Sequence, residues 1–193
     1  MPDAVGLELI AGELRDAHAD SVQSTYYEHG AACLIVDHEQ ILAVLSWLRD
    51  TPGQEYSFLA SVHGVDYLPA SPRFGVHYEM LNRNRVERIR VRAAIPDPAA
   101  DPELAADPGT PGGEAEEVAG PVIDSCVELF PTAEFQEREV YDFFGIVFRG
   151  HPDLRRILMP ETYVGWPQRR DFPVGGEPVI FTHNERVVPG WSQ

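Results

Sequence analysis

The second half of this chain is dominated by two adjacent stretches, Glu137-Arg138-Glu139-Val140-Tyr141-Asp142-Phe143-Phe144-Gly145-Ile146 and His151-Pro152-Asp153-Leu154-Arg155-Arg156-Ile157-Leu158. They place ionisable side chains among Phe, Tyr, Ile and Leu with almost no spacer between them. Charges at this density cannot all reach water, and a charge that is buried needs a partner. We therefore expect either a fixed internal ion network or a surface that another protein covers.

The first stretch has the pattern of a helix that ends at a glycine. Thr132 can cap its first turn, and Gly145 stands where a residue in the left-handed conformation closes a helix. Glu137 falls on the apolar side of this helix, so its carboxylate is expected to point towards apolar surroundings and to need a cation. Arg155 or Arg156 is the nearest supply of that cation along the chain.

The other charges of this helix allow two interpretations. Arg138, Glu139 and Asp142 share one stripe, where Arg138 and Asp142 form a pair one turn apart. An enzymatic interpretation makes Glu137 or Glu139 a general acid or base and His151 a proton shuttle. A structural interpretation, an ion network that pins the tail to the helix, is favoured. No nucleophile elbow, phosphate loop or metal-spaced His pair accompanies these residues.

The rest of the chain has the pattern of an α+β fold. A short amphipathic helix is expected around Leu7 to Leu14, and a second helix follows Asp37 as its cap. The strands are expected at 22–27 and 31–36, as a hairpin, and at 56–68, 74–80 and 89–95, as an antiparallel meander. A further short helix is predicted at 122–130. The fold class is thus a mixed or antiparallel sheet with helices packed on it and an extended C-terminal tail.

The domain organisation follows from one composition shift. Residues 96–120 are rich in Pro, Gly and acidic side chains and contain no basic residue, so this loop is too polar to fold alone. It interrupts a single domain that spans 1–150, because the segment after it is too short for its own core. Residues 151–193 are expected to form an extended, partner-binding tail.

Charge restricts the partners of this chain. The net charge is -16, and all 15 basic residues are Arg. An acidic chain of this kind repels nucleic acid and anionic lipid. Arg88, Arg90 and Arg92 alternate with apolar residues along the last meander strand. This row is either a solvated outer face or a docking face for an acidic partner surface.

Cofactor and metal binding are not expected in this chain. Cys33 and Cys126 lie far apart without a C-x-x-C pair, which argues against an iron–sulfur site and favours buried free thiols. Scattered histidines form no metal motif, because a metal site needs three or four converging ligands. The chain has no apolar run long enough to span a membrane, and its start lacks the features of a signal peptide.

The two stretches carry a family resemblance. E-R-E-x-x-D-F-F-G-I followed by G-H-P-D-L-R-R-I-L resembles the signature of the C subunit of proton-translocating NADH:quinone oxidoreductase, respiratory complex I. The plastid equivalent is the J subunit. Residues 165–173 resemble a second element of that family, and residues 125–133 resemble the approach to the signature. The resemblance marks these residues as a structural signature at the interface with other subunits: Glu137, Arg138, Glu139, Asp142, Phe143, Gly145, His151, Pro152, Asp153, Arg155, Arg156, Arg169, Arg170, Asp171, Phe172 and Pro173.

The resemblance also implies a function. It implies a cofactor-free structural subunit of the hydrophilic arm, on the cytoplasmic side of the bacterial membrane, with no catalytic, cofactor-binding or metal-binding residue of its own. Its partners would be the D subunit, which frames the quinone pocket, and the B and I subunits, which carry iron–sulfur clusters. FMN, iron–sulfur clusters and quinone would reside in partner subunits. The alternatives are an equivalent subunit of an F420H2 dehydrogenase or a membrane-bound hydrogenase, or a free-standing acid/base enzyme.

Overall fold

A mixed five-stranded sheet with helices on one face forms the body of the protein. The computed structural model describes residues 2–98 and 120–173, so most of the acidic loop and residues 174–193 of the predicted tail lie outside the described residues. The elements are α1 (Ala4–Ala17), β1 (Val22–Glu28), β2 (Ala31–Asp37), α2 (Ile41–Asp50), β3 (Phe58–Asp66), β4 (Phe74–Asn82), β5 (Glu87–Ile95), β6 (Val122–Asp124), α3 (Glu134–Phe144) and β7 (Val147–Arg149).

The sheet confirms the predicted hairpin and meander. Its strand order is β1-β2-β5-β4-β3. β1 and β2 pair antiparallel, as do β3 with β4 and β4 with β5. The two units join through a parallel pair between β2 and β5, where Cys33 lies opposite Arg90. The α+β class and the mixed sheet are therefore as expected, and the parallel join is what makes the sheet mixed.

The helices bury one stripe each against the same sheet face. Leu7 and Leu14 of α1 and Ile41 and Leu48 of α2 are buried in one apolar cluster with the inward residues of the strands. The predicted cap at Asp37 is present in a modified form. Its carboxylate accepts the N–H of Glu39 at 2.9 Å and opens a 3₁₀ turn that leads into α2.

Two predicted features around residue 130 are wrong. The segment 122–130 is not a helix, because Val122–Asp124 forms β6 and pairs in parallel with β7. That pairing buries Ile123 and Phe148, which a helix at this position could not bring together. Thr132 also does not cap α3. A 3₁₀ turn at Pro131–Ala133 leads into the helix, with Ala133 at the cap position and no side-chain cap bond.

Helix α3 packs closely on the edge strand β3. Gly64 lies beneath the helix, where an added Cβ would stand 2.7 Å from Phe144 Cδ2 and 3.0 Å from Val140 Cγ1. The Gln136 side chain accepts the outward N–H of Val62 at 2.5 Å. This bond satisfies a donor of an edge strand that would otherwise be open to pairing with another chain. α3 therefore closes that edge of the sheet.

The approach of α3 to β3 makes Gly64 sensitive to substitution. We expect Gly64→Ala to lower the free energy of unfolding by about 1–3 kcal/mol, because the methyl group overpacks the contact. Chemical denaturation monitored by circular dichroism measures this change. The control is Gly12→Ala in α1, where an added Cβ meets nothing within 4 Å. It should raise stability by about 0.5–1 kcal/mol. A Gly64→Ala chain as stable as the parent would contradict the close approach.

Candidate subunit-docking site

The Asp142 carboxylate organises the C-terminal segment, residues 150–173, which follows β7 and which we call the segment. Its side chain is fully buried, and Oδ1 pairs with Arg156 Nη1 at 2.8 Å. Oδ2 accepts three consecutive main-chain N–H groups, from Ile157 (3.0 Å), Leu158 (2.7 Å) and Met159 (2.8 Å). Burial by itself raises the pKa of the Asp142 carboxyl, but these donors outweigh it, so the pKa lies below its usual value. The ionised form therefore holds three residues in one turn.

Arg156 extends this network along the segment. Its Nη1 also donates to the Asp142 carbonyl (3.0 Å), and Nη2 donates to the Gly165 carbonyl (2.8 Å). The guanidinium lies 4.6 Å from the centre of the Trp166 ring. Trp166 in turn covers Gly145, the residue directly after α3 with φ +68°, where an added Cβ would stand 2.4 Å from the indole. The glycine that ends the helix is thus also required by the segment.

A second ion cluster fastens the end of the segment to the sheet. Arg73 donates to Asp66 through Nε (3.1 Å) and Nη2 (2.9 Å), and it also pairs with Asp97 (2.9 Å) and Asp171 (2.8 Å). The N–H of Arg170 donates to Asp66 Oδ2 at 2.9 Å. One buried arginine therefore connects the strand ends to the C-terminal segment.

The Asp66 carboxyl is held in its ionised form by this cluster. Burial raises its pKa, but donation from Arg73 and from the N–H groups of Leu68 and Arg170 outweighs burial and brings the pKa to about 2. Its ordinary value of 3.8 lies higher. The cluster consequently stabilises the fold at neutral pH and loses that contribution in acid.

Glu137 is buried as predicted, but its predicted cation is wrong. Neither Arg155 nor Arg156 pairs with it, since these side chains bind Asp153 and Asp142. The carboxylate accepts Ser125 Oγ–H at 2.6 Å and the Cys126 N–H at 2.8 Å. The β6–β7 pairing, which the sequence did not predict, places Ser125 and Cys126 beneath α3. Burial raises the pKa of the Glu137 carboxyl, because desolvation outweighs the hydrogen bonds from Ser125 and Cys126.

Arg138 does not pair along the helix with Asp142. It is buried, and it donates to the main-chain carbonyls of Arg155 (3.1 Å) and Arg156 (3.2 Å). The predicted pair one turn apart is therefore replaced by a contact to the segment. Arg155 lies on the surface, where it pairs with Asp153 at 2.9 Å.

His151 has a structural position. Its Nε2 donates to the Glu134 carbonyl (3.0 Å), and its Nδ1 accepts the Asp153 N–H (3.0 Å). Each ring nitrogen is thus occupied by the main chain. Glu137 is fully buried whereas Glu139 is exposed, so the three groups of the enzymatic interpretation do not open onto one common pocket.

The remaining signature residues line the same segment. Arg169 Nε donates to the Phe144 carbonyl at 2.6 Å, and the Phe143 carbonyl accepts the N–H of Gln168 at 3.2 Å. Phe172 is half-buried, stacked on Tyr163 with ring centres 6.3 Å apart. The exposed members of the signature are Glu139, Pro152, Asp153, Arg155, Arg170, Asp171 and Pro173.

This network holds apolar side chains out into solvent. Phe135 and Leu158 are each 59% exposed, and Ile157 is 38% exposed. Arg138 connects Phe135 to the main chain that precedes Ile157. Its guanidinium lies 5.7 Å from the centre of the Phe135 ring and donates to the carbonyls of Arg155 and Arg156. We call Phe135, Ile157 and Leu158 the apolar patch. A fixed main chain that presents large apolar side chains is typical of a surface that another protein covers.

Several residues of the site were not singled out from the sequence. Asp66 and Arg73 flank a Pro-rich turn, so their pairing across a hairpin end was a detectable signal. Gln136 and its bond to the β3 edge had no such signal. The contact between Asp66 and Arg170 joins positions 104 residues apart, and no local spacing indicates it.

Metal ligation and membrane spanning find no support in the described residues. Within 2–98 and 120–173, no group of three or more His, Cys, Asp or Glu side chains is placed to hold a metal ion. Both Cys33 and Cys126 are buried free thiols, as expected. In the same ranges no helix has the length and apolar character to cross a membrane.

The two buried carboxylates of α3 should differ in how much stability is lost when their charge is removed. Asp142→Asn leaves the Arg156 guanidinium without an anion and should cost about 3 kcal/mol of unfolding free energy at pH 7. Glu137→Gln removes a buried charge that has no cation and should stay within about 1 kcal/mol of the parent. Urea unfolding measures both. The control Asp153→Asn, in an exposed pair, should change stability by less than about 0.5 kcal/mol. Equal losses for the two α3 variants would refute this contrast.

The Asp66 cluster predicts a specific acid sensitivity. Because the folded pKa of about 2 lies below the ordinary 3.8, the stabilisation is complete above pH 4 and is lost as pH falls towards 2. It amounts to about 2 kcal/mol. The unfolding temperature should therefore fall more steeply between pH 6 and pH 2 for the parent than for Asp66→Asn, which is less stable at pH 6 and approaches the parent towards pH 2. Parallel curves for the two proteins would show that Asp66 is not responsible.

Comparison with known proteins identifies the family to which this chain is similar. The family model described as "Respiratory-chain NADH dehydrogenase, 30 Kd subunit" matches residues 34–106 and 114–178. The C subunit of the NADH-quinone oxidoreductase from Herpetosiphon aurantiacus is 43% identical over 82% of this chain and 80% of its own length. Those from Saccharopolyspora erythraea and Roseiflexus castenholzii are 40% and 36% identical, over 96% and 91% of this chain and over 66% and 89% of their own lengths.

A solved structure shares the fold. A chain from the structure of the membrane-bound sulfane sulfur reductase, described as an archaeal respiratory membrane complex, superimposes with a TM-score of 0.60 at 20% identity. The match covers 86% of this chain and 85% of that chain. At this identity the likeness concerns the fold alone. The family model and the curated relatives carry the assignment: the chain belongs to the family of the 30 kDa subunit of respiratory-chain NADH dehydrogenase.

Proposed function

We propose that this chain is a structural subunit of the hydrophilic arm of NADH:quinone oxidoreductase and binds no redox cofactor itself. The observation that carries the proposal is the apolar patch, formed by Phe135 of α3 and by Ile157 and Leu158 of the segment. The Asp142 and Asp66 clusters fix the main chain of this segment, while Phe135 and Leu158 remain 59% exposed. A docking segment that is ordered before it binds loses less conformational entropy on assembly. Its role would be to hold the quinone-reducing module in a fixed geometry.

The partners follow from the family resemblance of the signature residues. The patch would contact the D subunit, and the B and I subunits with their iron–sulfur clusters would lie nearby. FMN, iron–sulfur clusters and quinone would belong to partner subunits, and proton translocation would occur in the membrane arm. The complex would place this chain at the cytoplasmic side of the bacterial membrane. The names of the three relatives, each a C subunit of NADH-quinone oxidoreductase, support this proposal.

The alternatives have less support. An F420H2 dehydrogenase or a membrane-bound hydrogenase could use an equivalent subunit, but the three relatives named above belong to NADH-quinone oxidoreductases. A free-standing acid/base enzyme requires Glu137, Glu139 and His151 in one accessible site. Glu137 is fully buried and His151 is bound by main-chain groups at both nitrogens. The scaffold function is therefore the one that the geometry supports best.

Substituting the apolar patch should prevent assembly without unfolding the chain. We expect Phe135→Ser with Leu158→Ser to reduce recovery of partner subunits at least tenfold, because apolar anchors dominate the energetics of an interface. The tagged chain would be purified in mild detergent from its native host. Co-purifying subunits and NADH-dependent quinone reduction would then be measured.

The matched control is Val5→Ser with Leu9→Ser, two residues of α1 that are 69% and 64% exposed. This control should retain both assembly and activity. The patch variant should unfold at the same temperature as the parent, because neither side chain is in the core. If the patch variant still assembles fully, the apolar patch is not the docking site. If the parent chain is recovered without flavin and iron–sulfur subunits, the scaffold function itself is wrong.

A further inference from the structure

A row of arginines lies on the sheet face opposite the helices. Arg88, Arg90 and Arg92 alternate along β5 with residues that are buried in the core. All three helices contribute to that same core cluster. Within residues 2–98 and 120–173, the row is therefore on the face that no helix covers. We call Arg88, Arg90 and Arg92 the arginine face.

Among the described residues, carboxylates neutralise one arginine of this face. Arg90 forms an ion pair with Glu79, which lies opposite it on β4. Arg88 is exposed, and the Arg92 guanidinium lies 3.7 Å from the centre of the Tyr67 ring. In the part of the chain that the structure describes, no carboxylate forms an ion pair with Arg88 or Arg92. Within this described part, the face therefore carries positive charge that no carboxylate pairs with.

The position of the Arg92 side chain is fixed by the aromatic residues packed against it. Tyr67 Oη contacts His77 Nε2 at 2.6 Å, and the His77 ring stacks on His63 with centres 5.1 Å apart. Gly75 leaves room for this arrangement, because an added Cβ there would stand 2.9 Å from Tyr67 and 3.2 Å from Arg92 Nε. That nitrogen is buried without a hydrogen-bond partner among the described residues. A solvated arginine samples many rotamers, whereas this one is fixed by its neighbours.

These observations distinguish the face from an ordinary solvated surface. A preordered guanidinium (Arg92) and a solvent-exposed one (Arg88) on the same strand offer an acidic segment two separate binding positions. Alternate residues of a strand are about 7 Å apart, so Arg88 and Arg92 lie about 13 Å from each other. A partner segment with carboxylates at such intervals would match the row.

We infer that the arginine face docks an acidic segment of another subunit of the complex, separately from the apolar patch. Charge complementarity supports this occupant. The chain has a net charge of -16, so its surface repels acidic partners except at a basic region such as this face. The inference rests on the proposed function, since it needs an assembled complex. It adds a second contact to that function and assigns the chemistry of the partner surface.

Site-specific crosslinking in the assembled complex tests this inference. The photoreactive residue p-benzoylphenylalanine would replace Arg88 in one host strain and Leu158 in another. After illumination, crosslinked peptides would be mapped by mass spectrometry. The expected result at position 88 is a crosslink to an acidic stretch of a second subunit. A crosslink only within this chain, a crosslink to a stretch without acidic residues, or no crosslink at all would overturn the inference.

The Leu158 strain separates this inference from the proposed function. If position 158 crosslinks to a partner subunit and position 88 does not, the scaffold function stands and the arginine face has no partner. If neither position crosslinks and the unmodified chain is also recovered alone, the proposed function fails and the inference fails with it.

Charge reversal provides a second readout. Arg88→Glu should weaken retention of the chain in the complex about tenfold at moderate salt, whereas Arg88→Lys should retain most of it, because the charge persists. Arg83→Glu is the control. It makes the same charge change at the exposed β4–β5 turn, where Arg83 lies over the Phe58 ring at 4.2 Å. Equal loss for the two glutamate variants would indicate a general charge effect and would overturn the inference.

Discussion

The buried carboxylate of Asp142 is the interaction on which the C-terminal half of this protein depends. A desolvated charge is costly unless its lone pairs are filled, and here three consecutive N–H groups and one guanidinium fill them. The segment must therefore stay in one conformation for the charge to remain compensated. That constraint, transmitted through Arg156 to Trp166 and Gly145, turns a segment without regular structure into a rigid part of the molecule.

Helix α3 is an adaptor with two different faces. One face, with Val140 and Phe144, packs on Gly64 of the sheet by close apolar contact. The other face, with Arg138 and Asp142, binds the segment by charge and hydrogen bonds. Glu137 joins α3 to the turn before it through neutral donors only. The same helix therefore carries two buried carboxylates whose pKa values are shifted in opposite directions, because burial outweighs the donors at Glu137 whereas three N–H groups and Arg156 outweigh burial at Asp142.

The two docking surfaces that we propose differ in their chemistry. The apolar patch offers contact area that water leaves readily, which favours strong binding. The arginine face offers charge, which favours correct orientation and rejects unsuitable partners in an otherwise acidic chain. A scaffold protein needs both properties, since it must bind tightly and in one position. Neither surface requires a cofactor in this chain.

The sequence alone determined helices α1 to α3, the five strands of the main sheet, the α+β class, the hairpin and meander, the glycine that ends α3 and the burial of Glu137, but not β6, which the sequence predicted as a helix. These depend on local periodicity and on single residues with strong conformational preferences. The tertiary structure decided the parallel pairs β2–β5 and β6–β7 and the partners of Asp142, Glu137 and Arg138. Ion-pair partners are set by distances between positions far apart in the chain, such as Asp66 and Arg170. Proximity along the chain indicated Arg156 for Glu137, but folding gave that arginine to Asp142, since the β6–β7 pairing filled the space beside Glu137 with neutral donors.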